Sequence, residues 1–217
     1  MNKKIILSTG NIHKVEEIKD ILKGLPVNIY SKDDLGLGDI EVEEDGTTLE
    51  ENAIKKAMAI SEKVDGIVIA DDTGLFVDKL GGEPGIYSSR YSGENATYEE
   101  NNKKLLRKLE GVALEERTAT FKTVIAIVTE DKQVKTVYGE CKGKIGFESK
   151  GDSGFGYDPL FIVDGYNKTF AELGEDVKNK ISHRAKALEE LKKELKNIIG
   201  ATNGENICSK WYSWKDR

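Results

Sequence analysis

Two adjacent carboxylates, Asp71 and Asp72, follow the apolar run "IVIA" at 67–70 and precede Thr73, Gly74 and a second apolar run. An ionised carboxylate at the end of a buried strand is costly unless it is paired or metal-bound. Successive side chains on a strand point to opposite faces, so one of the two acids is expected to face a ligand. Mg²⁺ is usually held by one or two carboxylates, completed by phosphate oxygens and water. A second acid is available from the loop residues Glu41, Glu43, Glu44 and Asp45. The plainer reading is an Asp that caps a turn beside a solvated acidic loop. A lysine of the helix at 49–64, Lys55 or Lys56, could face the same acids, and spacing does not choose between them.

Three further segments carry chemistry. "STGNIHK" at 8–14 joins a strand to a helix start, where free N–H groups favour an anion; Gly10 permits close approach and Lys14 adds charge one turn in. It lacks the spacing of a Walker loop. The residues alone explain it equally as a turn capped by Asn11, and they give His13 no role. "GDSGFGYDPLF" at 151–161 interleaves glycines with Phe155 and Tyr157, which suits a stacked base or a tight turn over core aromatics. "KNKISHRAKAL" at 178–188 crowds Lys178, His183 and Arg184 at the start of the closing helix, the end where the helix dipole disfavours cations. Either an anion compensates there, or these are surface cations with a half-buried histidine.

These segments need a scaffold. The spacing predicts strands over 4–9, 27–30, 67–70 and 161–163, and a long hairpin over 118–129 and 133–147. Helices are expected from Asn11 to Gly24, from Thr48 to about Val64, from Thr97 to about Leu109, and from the 178–188 segment to Gly200. Thr48-Leu49-Glu50-Glu51 and Thr97-Tyr98-Glu99-Glu100 each read as a capping box. Mixed strands and helices imply an α/β domain with a mixed sheet and a smaller lobe.

The chain has 217 residues, 38% hydrophobic and 33% charged, the balance of a globular protein. No apolar run approaches the ~20 residues of a membrane helix. The opening "MNKKIIL" is too short in apolar residues for a secretory signal and is read as the first strand of a cytoplasmic protein. Cys141 and Cys208 form neither a metal spacing nor a disulfide framework. The net charge of −6 argues against a nucleic-acid binder, yet allows an anionic small ligand on a local basic cluster. Residues 201–217 lack periodicity and are set apart from a single domain over 1–200 as a tail of unknown role.

Taken in order, "STGNIHK", "LEENAIKKA", "IADDTGL", "LGGEPGIYSSRYSGE", "GFGYDP", "KTFAEL" and "NKISHRAKAL" resemble the Ham1-like inosine triphosphate pyrophosphatases, over residues 3 to about 199. The resemblance implies an elongated two-lobed α/β fold, with a central mixed β-sheet flanked by helices and an active-site cleft between the lobes. It implies homodimers that use Mg²⁺ to hydrolyse non-standard purine nucleoside triphosphates (ITP, dITP, XTP) to the monophosphate and pyrophosphate, so cleansing the nucleotide pool.

Residue by residue, it places Thr9, Gly10, Asn11, Ile12, His13 and Lys14 on the triphosphate. Asp72 becomes general base and metal ligand, and Thr73 a substrate contact. Lys56 becomes the helix lysine, and Glu43 or Glu44 the second metal-associated acid, with Glu43 preferred. Phe155, Gly156, Tyr157 and Asp158 would line the base pocket, which Lys178, His183 and Arg184 complete. His13 stands where small or basic residues are usual, Thr73 replaces a frequent Ser, and the tail has no counterpart. A Maf-like pyrophosphatase with another base preference and a non-catalytic nucleotide sensor are the rival readings.

Overall fold

A computed structural model describes residues 2–201 and the pair Tyr212–Ser213, without the side chains of His13, Ala201, Tyr212 and Ser213. The reading of 201–217 as a tail therefore falls largely outside the described residues. In chain order the elements are β1 (Lys3–Leu7), α1 (Ile12–Ile21), β2 (Val27–Ser31), α2 (Leu49–Ser61), β3 (Ile67–Val77), β4 (Pro84–Gly85) and α3 (Tyr98–Lys108). There follow β5 (Thr118–Val128), β6 (Gln133–Ile145), β7 (Phe161–Val163), α4 (Phe170–Leu173), α5 (Glu175–Ile181), α6 (His183–Ala201) and β8 (Tyr212–Ser213).

The central sheet is mixed. Its order is β2-β1-β3-β5-β6-β7, with β4 on β3 and β8 on β6. β1 runs parallel to β2 and β3, while β4, β7 and β8 pair antiparallel with their neighbours. The described residues divide into two compact units: one takes those up to 72, 124–138 and those from 187 on, and the other takes 73–123 and 139–186.

The first unit packs Ile5, Leu7, Ile67, Ile69, Ile125 and Ile127 of the strands against Val15, Ile18 and Leu22 of α1 and Leu188, Leu191 and Leu195 of α6. The helical residues recur at three- and four-residue spacing, which puts them on one face. α1 starts where expected: Val15 N donates to Asn11 O at 3.1 Å and Lys14 N to Asn11 Oδ1 at 3.4 Å. At α2 the expected capping box is only half formed. Thr48 Oγ1 accepts from Glu51 N, but Glu51 Oε2 takes the Thr47 N–H and hydroxyl, one residue earlier.

The second unit is built on aromatics. Phe121, Phe161 and Phe170 sit with ring centroids 4.7–6.1 Å apart, in one cluster with Leu105 of α3 and Leu109, which caps its end. α3 carries the full capping box expected at Thr97 and Glu100. Its far end is held by buried Arg117, which donates to the carbonyls of Leu109, Val112 and Gly146 at 2.7–3.1 Å.

Two expectations are corrected. β3 does not end before the acids: it continues through Asp71 and Asp72 to Val77. Both carboxylates find lysines, so the strand need not stop to expose them, and Leu75 and Val77 bury their side chains completely. Gly74 lets β4 approach, since a Cβ there would lie 2.4 Å from Gly85 O. The segment 178–188 is likewise not the start of one helix. Ser182 adopts φ −68° and ψ 161°, which ends α5, and its Oγ accepts from Ala185 N at 3.1 Å, which opens α6. Lys178 thus lies in the last turn of α5, where the dipole favours a cation, and only His183 and Arg184 begin a helix.

Candidate active site

In the first unit the acids of β3 meet lysines from two helices. Lys14 Nζ of α1 lies 2.7 Å from Asp71 Oδ2, and Lys56 Nζ of α2 lies 2.9 Å from Asp72 Oδ1. Different helices for adjacent acids follow from the alternation of a strand. Lys56 Nζ also meets Glu44 Oε1 at 2.8 Å. Ser8 Oγ donates to Lys56 O at 2.8 Å, which ties the 8–14 turn to α2. Thr9 Oγ1 accepts from Asn11 N at 3.2 Å, so the turn is ordered by its own side chains, while Gly10 and Ile12 are exposed. His13 occupies the first turn of α1, and its side chain lies outside the described residues.

Asp72 and Lys56 have opposite stakes in burial. Burial pushes the Asp72 carboxyl above its ordinary pKa and Glu44 adds to that; the Lys56 charge beside it opposes the rise without cancelling it. Burial works against the Lys56 ammonium, but the Asp72, Glu44 and Asp71 charges outweigh it and raise its pKa. Lys56 is therefore a fixed cation, and Asp72 a carboxylate more basic than one in water.

Asp72 Oδ2 is buried with no hydrogen-bond partner among the described residues. An orphaned oxygen of this kind fits a hard cation. Among those residues no three His, Cys, Asp or Glu side chains converge into a metal cage.

The second unit holds another cluster. Asp158 Oδ2 accepts from Lys178 Nζ at 2.6 Å and from Phe155 N at 2.9 Å, both acid and lysine being buried. Lys178 Nζ stands 4.4 Å from the centre of the half-buried Phe155 ring, and Arg184 Cζ 5.7 Å. His183 stacks on Phe121 with centroids 4.6 Å apart and planes 10° from parallel. Asn102 Nδ2 donates to Gly156 O at 3.0 Å. Tyr157 turns inward: its ring is buried in the core and its hydroxyl donates to Ser88 O at 2.9 Å. The Thr73 hydroxyl pairs with that of buried Thr123 at 2.8 Å.

The structure thus joins Lys14 to Asp71, Lys56 to Asp72, and Phe155 to Asp158, Lys178 and Arg184. Glu43, preferred on sequence as the second metal-associated acid, is exposed, and Glu44 takes the place beside Lys56. Exposure alternates along 41–45, so neighbouring acids face opposite ways. Sequence reading also missed Asn102, Thr123 and Ser88, which support Gly156, Thr73 and Tyr157. Only the position of Asn102 in the helix opened by Thr97 gave any sign of it.

What fold and site define is an α/β protein whose buried acid–lysine cluster suits metal-assisted handling of a polyphosphate. The chain belongs to the Ham1 family, whose sequence model matches residues 5–194. A protein of Thermoanaerobacter pseudethanolicus named dITP/XTP pyrophosphatase is 59% identical over 189 residues, 87% of this chain and 94% of its own. One of the same name from Bacillus subtilis is 48% identical over 193 residues, 89% of this chain and 97% of its own. The solved Ham1 protein of Staphylococcus aureus superposes with a TM-score of 0.84 at 40% identity, covering 90% of this chain and all of that one. The Ham1 protein of Coxiella burnetii gives 0.84 at 38% identity, covering 91% of this chain and all of that one.

Proposed function

We propose that this chain hydrolyses non-standard purine nucleoside triphosphates, ITP, dITP and XTP, to the monophosphate and pyrophosphate. Its family and the names of its curated relatives set the enzyme class, a nucleoside triphosphate diphosphatase. The observation that carries the site assignment is Lys56, which holds Glu44 and Asp72 together while Asp72 Oδ2 is buried with no hydrogen-bond partner among the described residues.

In this reading Asp72 accepts a proton from the attacking water. The new bond forms between that water's oxygen and the α-phosphorus, the bond from the α-phosphorus to the bridging oxygen breaks, and pyrophosphate departs with the electron pair. Burial, which makes Asp72 more basic, equips it for the step. Asp72 and Glu44 would hold Mg²⁺, which when bound neutralises charge on the phosphates. Lys56, and Lys14 behind Asp71, supply fixed positive charge near the same acids, and positioned charge is most of what phosphoryl-type hydrolysis requires. Residues 9–14, at the start of α1, would contact the triphosphate, with Thr73 as a further contact.

The Phe155 ring would stack on the base, while Lys178 and Arg184 offer donors to a 6-keto oxygen. Adenine presents a donor at that position and would meet a donor, a conflict that hydrogen-bonding sites use to discriminate. Gly156, Asp158 and His183 shape this face, and Tyr157 supports it from the core.

The function reads as cleansing of the nucleotide pool by a cytoplasmic homodimer, with residues 1–200 as the working domain. Light scattering tests the dimer, and fractionation the compartment. No helix of the described residues is long and apolar enough to cross a membrane. Pyrophosphate release from ITP, XTP, GTP, ATP and UTP, with and without Mg²⁺, tests the activity. ITP and XTP should lead by orders of magnitude, and equal rates on all five would remove the assigned specificity.

A further inference from the structure

Asn52, on α2, is fully buried, and its Oδ1 accepts the N–H of Gly46 at 2.8 Å. The contact leaves no room for a side chain at residue 46. A Cβ on Gly46 would lie 2.5 Å from Asn52 Oδ1 and 2.9 Å from Glu51 Cβ. The next residue is pinned too, because Thr47 gives its N–H and hydroxyl to Glu51 Oε2 at 2.6 and 2.9 Å. Residues 46–47 are therefore clamped to the first turns of α2. Two residues before the clamp comes Glu44, and four residues after Asn52 comes Lys56, on the same face of the helix. Asn52 Nδ2 is buried without a partner among the described residues.

We propose that Asn52 is a positioning residue: by holding Gly46 it fixes the course of the acidic loop, so that the Glu44 carboxylate stands at Lys56 beside Asp72. The inference rests on reading that cluster as the catalytic site and goes beyond it, since Asn52 is assigned no contact with substrate or metal. A neutral amide suits the place. Aspartate would keep the acceptor but add a fourth negative charge to a helix face already paired with Glu44, Asp71 and Asp72. An orphaned buried donor is costly in itself, which argues that the acceptor is what the position is kept for.

The test uses Mn²⁺ as a paramagnetic probe, titrated against the full chain and followed by EPR, in wild type, N52A, G46A and the double variant. Outer-sphere partners of metal-binding groups typically hold about 10-fold or more of the affinity. N52A and G46A should each weaken Mn²⁺ binding by about 10-fold, with native circular dichroism. The double variant should be no weaker than the worse single one, because both changes break one contact. In ITP hydrolysis each should raise the Mg²⁺ concentration for half-maximal rate while KM for the nucleotide at saturating metal stays near wild type. Unchanged Mn²⁺ affinity in a folded N52A or G46A, multiplied effects in the double variant, or no Mn²⁺ binding by wild type overturns the inference. A wild type that binds Mn²⁺ and loses it in both variants, yet leaves ITP intact, would sustain this role and defeat the hydrolytic one.

Discussion

Lys56 Nζ lies 2.9 Å from Asp72 Oδ1 and 2.8 Å from Glu44 Oε1, so one ammonium ties an acid of the loop to an acid of the strand. The arrangement separates the roles of the two carboxylates. Asp72 is the more deeply buried and keeps one oxygen without a hydrogen-bond partner among the described residues, and Glu44 completes the pairing.

Asp72→Asn should lower kcat for ITP by at least about 100-fold, the lower range for a general base, with nucleotide binding retained. Its effect on stability runs the other way. The folded carboxyl has a raised pKa, so stability is greatest below the unfolded value and declines as pH rises through the folded one. At pH 7, above the unfolded value, its raised pKa makes Asp72 a net cost to the fold, and Lys56 keeps Glu44 when it is gone. Thermal unfolding at pH 7 should therefore give a Tm equal to wild type or higher, and a marked fall in Tm would contradict the assignment.

Lys56→Met should do the opposite. It strands Asp72 and Glu44, and removing one partner of a buried pair costs about 3 kcal/mol or more. Lys56 has a raised pKa, so its contribution is complete below the ordinary lysine value of about 10.4 and fades only as pH rises through the folded value. Urea unfolding should show the loss at both pH 6 and pH 9, and no smaller at pH 9, because without Lys56 the Asp72 carboxyl takes up a proton more readily as pH falls.

Phe155→Ala tests the base-stacking face. Stacking on an aromatic ring contributes roughly 1–3 kcal/mol per base, so KM for ITP should rise about 5- to 150-fold, with kcat at saturation little changed. A loss confined to kcat would place Phe155 in the fold's support and not against the base.

Acid should weaken the chain partly through its caps. Glu100 and Glu172 accept hydrogen bonds from Thr97 and Thr169, backbone first, which holds both carboxyls below the ordinary glutamate range. A lowered pKa contributes stability above the unfolded value of about 4.3 that is lost as pH falls through the folded one. Unfolding midpoints measured from pH 6 to 3 should fall less steeply in Glu100→Gln and Glu172→Gln than in wild type.

Much of this was legible beforehand where local chemistry decides. Thr97 and Glu100 announced α3, and Asn11 announced α1, because capping is a short-range hydrogen-bond pattern. The same pattern at Thr169 and Glu172 opens α4 and was readable, though the helix has only four residues. The end of β3 was misjudged because two adjacent acids read as closing a buried strand until their partners are known, and Lys14 and Lys56 come from distant parts of the sequence. Glu44 could not be told from Glu43 because side-chain alternation in an irregular loop has no register until something clamps it. The break at Ser182 carries neither Gly nor Pro; only a serine able to cap the following helix marks it.

The most direct test of the central claim is pyrophosphate release from ITP by wild type and Asp72→Asn, each with and without Mg²⁺. Rapid release by wild type that needs the metal, and loss of about 100-fold or more in the variant, is the result expected. Release that ignores the metal, or a variant as fast as wild type, would contradict the reading of Asp72 as the acid at which the reaction takes place.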